Sequence, residues 1–362
     1  MRERLKNRED IILNDNYELL NLMLKDQEKQ SKLYHPGVYW LSKTKNAINE
    51  IKKYGISAFR GTKNAIGQSY TDSVLFDVRK NYGTNLILRI VRWITTLFPL
   101  NKIYDSQIRL TGAYASRNNI FAQEIINIKP KVRELLENFE VPYSLLGECF
   151  FKVSRDGREY SVHYLNLLEE HSNIAKYIDF NKVYSVFEIG GGFGTNIHLL
   201  LENYPNIKKV LYLDIPPNLY VGTQYLKAFY GDLVIDYSIS KDLDEIKFST
   251  DDNLEIFCIA PWQIEKFQDS VDVFMNSHSF VEMPKDIVKN YIDKLNDFPK
   301  SINTAISLTS YDYFDVDTTI DPNELPNYFQ DREFNCFESE QLLDSSRKNI
   351  YYVSPGVLEL DN

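Results

Sequence analysis

The chain has 362 residues, 43% of them hydrophobic and 14% aromatic, with 41 Lys and Arg against 51 Asp and Glu, a net charge of −10. That length exceeds a usual single domain and supports a sizeable core, while the acidic balance argues against a nucleic-acid partner, which needs a basic face. Three widely spaced cysteines (Cys149, Cys258 and Cys336) form no C-x-x-C pair, which argues against a disulfide framework or a cysteine-built zinc site and points to a reducing, cytoplasmic setting.

The N-terminal stretch MRERLKNREDIILND has no apolar run ending in a small-residue cleavage site, so it does not read as a secretory signal. Residues 1–150 read as a mainly helical region. Tyr17, Leu20 and Leu24 recur in charged surroundings, and Val132, Leu135, Leu136 and Phe139 fall at i, i+3, i+4, i+7. Between them lies a polar, loop-like stretch from Tyr54 to Asp72. The greasiest window, Leu86 to Leu100, is too short to span a bilayer and contains Arg89 and Arg92, so it reads as a buried or interfacial helix and not as a transmembrane segment.

After residue 150 the texture changes. A helical segment from Tyr160 to Ile178 leads into short apolar runs separated by helical stretches: Val183–Ile189, Lys209–Ile215, Leu254–Ala260, Val271–Ser277 and Thr304–Ser310. Nearly continuous apolar character is how buried parallel strands read. Such alternation implies right-handed βαβ units in an open, doubly wound sheet, with ligands outside the carboxyl ends of the strands. Ile197, Leu200, Leu201 and Tyr204 form the stripe of the first crossover helix, which leaves His198 off the stripe and reads it as a surface residue.

The run FEIGGGFGTNIHLLL, from Phe187 to Leu201, sits at the first strand-to-helix turn. Counted from Gly190, the third glycine of a dinucleotide fingerprint is replaced by Thr195, and no Gly-Lys-Ser/Thr ends a phosphate loop. The pattern is E-x-G-x-G-x-G, made by Glu188, Gly190, Gly192 and Gly194. Glycines there permit positive φ and a close approach of backbone to ligand. A carboxylate at Glu188 would oppose a pyrophosphate but suits an amino group and a sulfonium. Asp214 lies 24 residues past Gly190 (214 − 190) at the end of the second apolar run, where an acid accepts hydrogen bonds from ribose hydroxyls.

This pattern resembles the first motif of S-adenosylmethionine-dependent methyltransferases with a Rossmann-like fold. Four pieces in order, VFEIGGGFG, DIPPNLYVGTQYL, IAPWQIEKF and VDVFMNSHSFVEMP, further resemble the sugar O-methyltransferases found in bacterial surface-polysaccharide gene sets. Fainter likenesses are YHPGVYW and FRGTKNAIG. The strong part covers roughly residues 183–295. The resemblance implies an α/β protein, with residues 151–362 forming a Rossmann-like class I methyltransferase domain. Its sheet would be seven-stranded and mostly parallel, with the NIYYVSPG strand antiparallel. It implies S-adenosyl-L-methionine as cofactor, with Glu188, Gly190, Gly192 and Gly194 around its methionine end and Asp214 and Ile215 at its ribose and adenine edge. Pro261 and Trp262 would flank the adenine, and Asn276 would hold the cofactor or the loop.

The activity implied is O-methylation of a sugar, free, nucleotide-linked or on a growing glycan. Two other readings stand beside it, methylation of a non-sugar small molecule and a catalytically silent cofactor-binding module. An alcohol needs a base, or a metal, before it attacks. The segment Asn276 to Met283 would open beside the methyl group, with His278 as the natural base at neutral pH and Glu282 orienting it, acting as base or binding a hydroxyl. No metal ligand set is assigned. Asp312, Asp315 and Asp317 read as a solvated acidic loop in preference to a Mg²⁺ or Ca²⁺ site. Residues 1–150 would cover the acceptor, and Tyr39, Trp40, Phe59, Arg60 and Tyr70 are the residue types a sugar site uses.

Overall fold

The computed structural model describes residues 11–61, 122–123, 126–127, 129–143, 145–149, 152–312, 320–329, 332–342 and 347–358. The Leu86–Leu100 window, Tyr70, Asp315 and Asp317 lie outside them, as does most of the FRGTKNAIG piece. Among the described residues no helix is long and apolar enough to cross a membrane.

In chain order the main elements are α1 (Tyr17–Gln27), α2 (Val38–Tyr54), α3 (Pro130–Asn138), β1 (Lys152–Arg155), β2 (Arg158–Ser161), α4 (Val162–Ile174) and β3 (Ser185–Ile189). There follow α5 (Thr195–Asn203), β4 (Lys209–Leu213), α6 (Pro216–Tyr230), β5 (Val234–Ile235), the short α7 (Tyr237–Ser240) and β6 (Glu255–Ile259). The chain continues through β7 (Val273–Ser277), α8 (Lys285–Asn296), β8 (Ala305–Tyr311), β9 (Asn335–Glu340) and β10 (Lys348–Ser354).

The main sheet runs β5-β6-β4-β3-β7-β8-β10-β9. β3 through β8 pair in parallel, and β10 is antiparallel to both of its neighbours. This is the Rossmann-like methyltransferase arrangement expected from the resemblance, including the antiparallel strand at NIYYVSPG. The sheet has eight strands among the described residues, not seven: the two-residue β5 adds an edge beside β6. A second difference lies at residues 152–161, where β1 and β2 form an antiparallel hairpin, so the helix expected from Tyr160 begins only at Val162.

The continuous apolar strands follow from burial on both faces. Val186, Val210, Tyr212, Ile256, Cys258, Val273 and Met275 point into one core with α5 and α6. Phe187, Leu211, Leu213, Phe257, Ile259 and Phe274 point into the other, with α8. Leu19, Leu20 and Met23 of α1 and Ile51 of α2 belong to the first core together with Tyr220 and Tyr225 of α6. The N-terminal helices therefore pack on the face of the sheet that α5 and α6 cover.

His198 is a correction to the sequence reading. It is fully buried, with Nδ1 2.9 Å from the Tyr225 hydroxyl and 3.1 Å from that of Tyr164. A hydrophobic stripe misses such a residue because two tyrosine hydroxyls, not apolar neighbours, make its burial tolerable.

Candidate functional site

The glycine turn leaves β3 at its carboxyl end, beside the switch point where the chain's crossovers diverge between β3 and β7. Gly190, Gly192 and Gly194 have φ of 75°, 65° and 82°, the left-handed region that L side chains avoid. The turn is tied down from three sides. The Gly190 amide donates to the Leu213 carbonyl at 2.8 Å, the Tyr212 hydroxyl donates to the Gly192 carbonyl at 2.7 Å, and Asn276 Nδ2 donates to the Ile189 carbonyl at 2.8 Å. Asn276 also accepts from the Phe280 amide and donates to the Ser279 hydroxyl, so it joins the ends of β3 and β7. Gly190 lies so close to Ser279 that a Cβ there would sit 2.5 Å from the serine Cβ.

Two carboxyl groups lie under and beside this turn. Glu188 is fully buried. Its Oε1 accepts from Asn196 Nδ2 at 2.7 Å, while Oε2, tucked beneath Gly191, has no hydrogen-bond partner among the described residues. Burial pushes its pKa up to about 7, only partly opposed by Asn196. Asp214, 5% exposed, accepts from the Gly192 amide at 2.8 Å and the Ile215 amide at 2.7 Å. Burial pushes it up to about 8 against those bonds and one from Asn218, with the Glu188 charge adding to the rise.

Gly190, Asp214 and Ile215 line a solvent-open cavity with Asn218, Ser279 and Glu282, walled by His35, Pro36, Gly37 and Trp40 from the N-terminal helical region. Glu282 is 7% exposed, and its Oε2 accepts from Trp40 Nε1 at 2.9 Å. Burial pushes its pKa up to about 7, opposed by the Trp40 hydrogen bond, the Lys43 and His278 charges and a Tyr39 hydrogen bond.

The remaining predicted residues lie apart from the cavity lining. His278 follows β7 in a left-handed conformation, φ 66°. Its ring stacks on Tyr311 with centroids 4.4 Å apart, and Nε2 lies 3.1 Å from Glu170 Oε1 on α4. Asn349 Nδ2 donates to the same oxygen at 3.2 Å. Pro261 is buried and Trp262 half-buried, edge-on to Tyr237 with centroids 5.7 Å apart. Of the aromatic candidates, Trp40 reaches the cavity, whereas Phe59 packs against Phe193 in the core and Arg60 Nη2 donates to the Ser161 hydroxyl. Sequence reasoning assigned nothing to Ser279, Asn218 or Glu170. Ser279 had a signal, its place inside the NSHSFVEM block; Glu170 had none, being one of two adjacent acids on a helix that is buried nearly all round. Among the described residues no group of three or more His, Cys, Asp or Glu could hold a metal ion.

No family model and no curated protein matches the chain. Among solved structures it is similar to the mitomycin 7-O-methyltransferase MmcR, at 13% identity over 67% of this chain and 66% of that one, with a TM-score of 0.37. It is similar to the S-adenosylmethionine-dependent methyltransferase SibL in its apo form, at 14% identity over 70% and 79%, TM-score 0.38. A third is the N-methyltransferase NodS from Bradyrhizobium japonicum WM9 in complex with S-adenosyl-L-homocysteine, at 10% identity over 63% and 100%, TM-score 0.35. The chain thus spans just under two thirds of the MmcR chain. Likenesses this distant carry nothing about substrate or residue roles.

Proposed function

We propose that the protein is an S-adenosylmethionine-dependent methyltransferase whose acceptor is a sugar hydroxyl. The observation that carries the cofactor reading is the convergence of Gly190 and Asp214 on one cavity at the switch point, with Glu188 buried beneath the same turn. The residues fit the cofactor on two counts. The positive-φ glycines leave a backbone surface without side chains, and the unpartnered Glu188 oxygen offers a buried carboxylate to a cationic group. Glu188 and the glycines would hold the methionine end, and Asp214 would accept from the ribose hydroxyls, with Ile215 beside it. Pro261 and Trp262 are assigned to the adenine side and Asn276 to holding the turn.

When bound, S-adenosylmethionine supplies an electrophilic methyl group on a sulfonium. The chain's own task is to position an acceptor hydroxyl and remove its proton. Glu282 lines the cavity, and a carboxyl raised to about 7 takes up a proton at neutral pH more readily than an ordinary one. It is the group we assign to that step. His278, whose ring is held on Glu170 and Tyr311, braces the turn that carries Ser279 and Glu282. The sugar assignment rests on the resemblance of the 183–295 region and on Trp40 at the cavity wall, an aromatic face beside a carboxylate.

Calorimetric titration with S-adenosylhomocysteine tests the cofactor reading. Wild type is expected to bind, and Asp214→Ala to bind about 10- to 100-fold more weakly, having lost charge-assisted ribose contacts. Absence of heat and of thermal stabilisation with wild type would sink the proposal. Release of S-adenosylhomocysteine with a panel of sugars and nucleotide sugars, against phenols and amines, tests the acceptor class.

A further inference from the structure

We infer that Trp40, from the N-terminal helix α2, is a positioning residue that holds the Glu282 carboxylate for its work at the acceptor. This rests on the assignment of Glu282 above and extends it to a residue 242 positions away in the chain. An indole has one hydrogen-bond donor, and Trp40 directs it to Glu282 Oε2 at 2.9 Å. Both side chains line the same cavity.

The ring itself is held in place. Trp40 lies edge-on to Tyr39, centroids 5.5 Å apart, and the Lys43 ammonium sits 3.5 Å from the Tyr39 ring centre and 5.5 Å from that of Trp40. The segment is anchored on the same loop that carries Glu282. Gly37 abuts Pro284 so closely that a Cβ would lie 2.5 Å from the proline Cδ. A second tie runs to the Pro261–Lys266 turn after β6, where the Tyr34 hydroxyl donates to Glu265 Oε1 at 2.5 Å. A buried carboxylate with several torsions gains a single orientation from such a donor, and an ionised one gains most because charge-assisted bonds are the strong ones. The groups facing Glu282 are Trp40, Tyr39 and Lys43 of α2 and His278 of its own turn, with Asp214 and His35 across the cavity.

The test uses the protein alone, without cofactor, so its outcome is separate from that of the calorimetry. The chain has three tryptophans, so the ¹⁵N-indole region has few signals and Trp40→Phe identifies the relevant one. That signal is expected to titrate with a midpoint near 7, and Glu282→Gln is expected to abolish the titration. Carboxyl ¹³C signals of labelled glutamate, with Glu282 assigned by the same Gln variant, give the reciprocal measurement. In Trp40→Phe the Glu282 midpoint should rise by about one pH unit, a tenfold change in its ionisation constant, because a donor that favours the charged form has gone. An indole signal unmoved between pH 5 and 9, one that still titrates in Glu282→Gln, or a Glu282 midpoint unchanged in Trp40→Phe would overturn the inference.

Discussion

Gly190→Ala isolates what the glycine turn requires, and its cost can be built from the geometry. At φ 75° an alanine pays about 1–2 kcal/mol for the left-handed backbone. Its Cβ would also fall 2.5 Å from the Ser279 Cβ, a distance no rotation of the serine hydroxyl relieves, so Ser279 has to move. The serine then gives up its bonds with Asn276 Nδ2 (2.6 Å) and the Ile189 carbonyl (3.3 Å), each worth about 0.5–1.5 kcal/mol net. The expected loss is about 2–5 kcal/mol in all. Only the steric part depends on Ser279, so in a Ser279→Gly background the same alanine should cost only about 1–2 kcal/mol. Urea unfolding of the four proteins gives the coupling, expected at about 1–3 kcal/mol, as for residues in direct contact. If Gly190→Ala costs the same in both backgrounds to within about 0.5 kcal/mol, the close-approach argument is wrong and only the dihedral matters.

Two further perturbations address the buried acids. Glu188 titrates near 7 in the folded protein against about 4.3 unfolded, so between those values the native state keeps a proton that the unfolded chain has released, and stability falls as pH rises. Glu188→Gln removes that loss: it should leave stability at pH 4 little changed, raise it at pH 8 by about 1–3 kcal/mol, and weaken S-adenosylhomocysteine about tenfold or more. A variant less stable than wild type at pH 8 in urea unfolding would refute the burial account. His278→Ala should cost about 1.5–3 kcal/mol by taking one of the two side-chain partners of the buried Glu170 Oε1 and leaving it Asn349, and Glu170→Ala a similar amount. The double variant should cost less than the sum, and strict additivity in thermal unfolding would show that the 3.1 Å contact contributes nothing.

The central sheet was legible because its strands are buried on both faces, and burial on both faces leaves nearly uninterrupted apolar runs in Val183–Ile189 or Lys209–Ile215. The turn was legible because positive φ selects glycine at Gly190, Gly192 and Gly194. Elements whose formation depends on partners elsewhere were not. β9, NCFESE, is a largely exposed edge strand with no apolar face to announce it, and β5 is two residues long. The β1–β2 hairpin did carry a local signal, Asp156-Gly157 with both φ positive, the dipeptide that favours tight hairpin turns; it was hidden by reading Tyr160 onward as helix. At the site, residue types could be assigned but not their directions. Nothing in NSHSFVEM tells that Glu282 lines the cavity while the His278 ring turns to Glu170, since α4 and α2 supply the partners from more than 100 and 200 residues away.

Three carboxyl groups around one turn and one cavity, Glu188, Asp214 and Glu282, are all pushed up to about 7 or 8 by burial. A protein stabilised for its own sake would avoid this, because each is held where its charged form is disfavoured. Natural folds retain such groups at sites where a ligand compensates. An anionic ligand such as a pyrophosphate would deepen the electrostatic cost. A ligand with a positive sulfonium and a positive amino group would offset it by favouring the ionised carboxylates, and ribose hydroxyls can donate to either form. Among the ligands that glycine-rich strand-to-helix turns accept, a cationic one is therefore the better electrostatic match, which adds support to the S-adenosylmethionine proposed above.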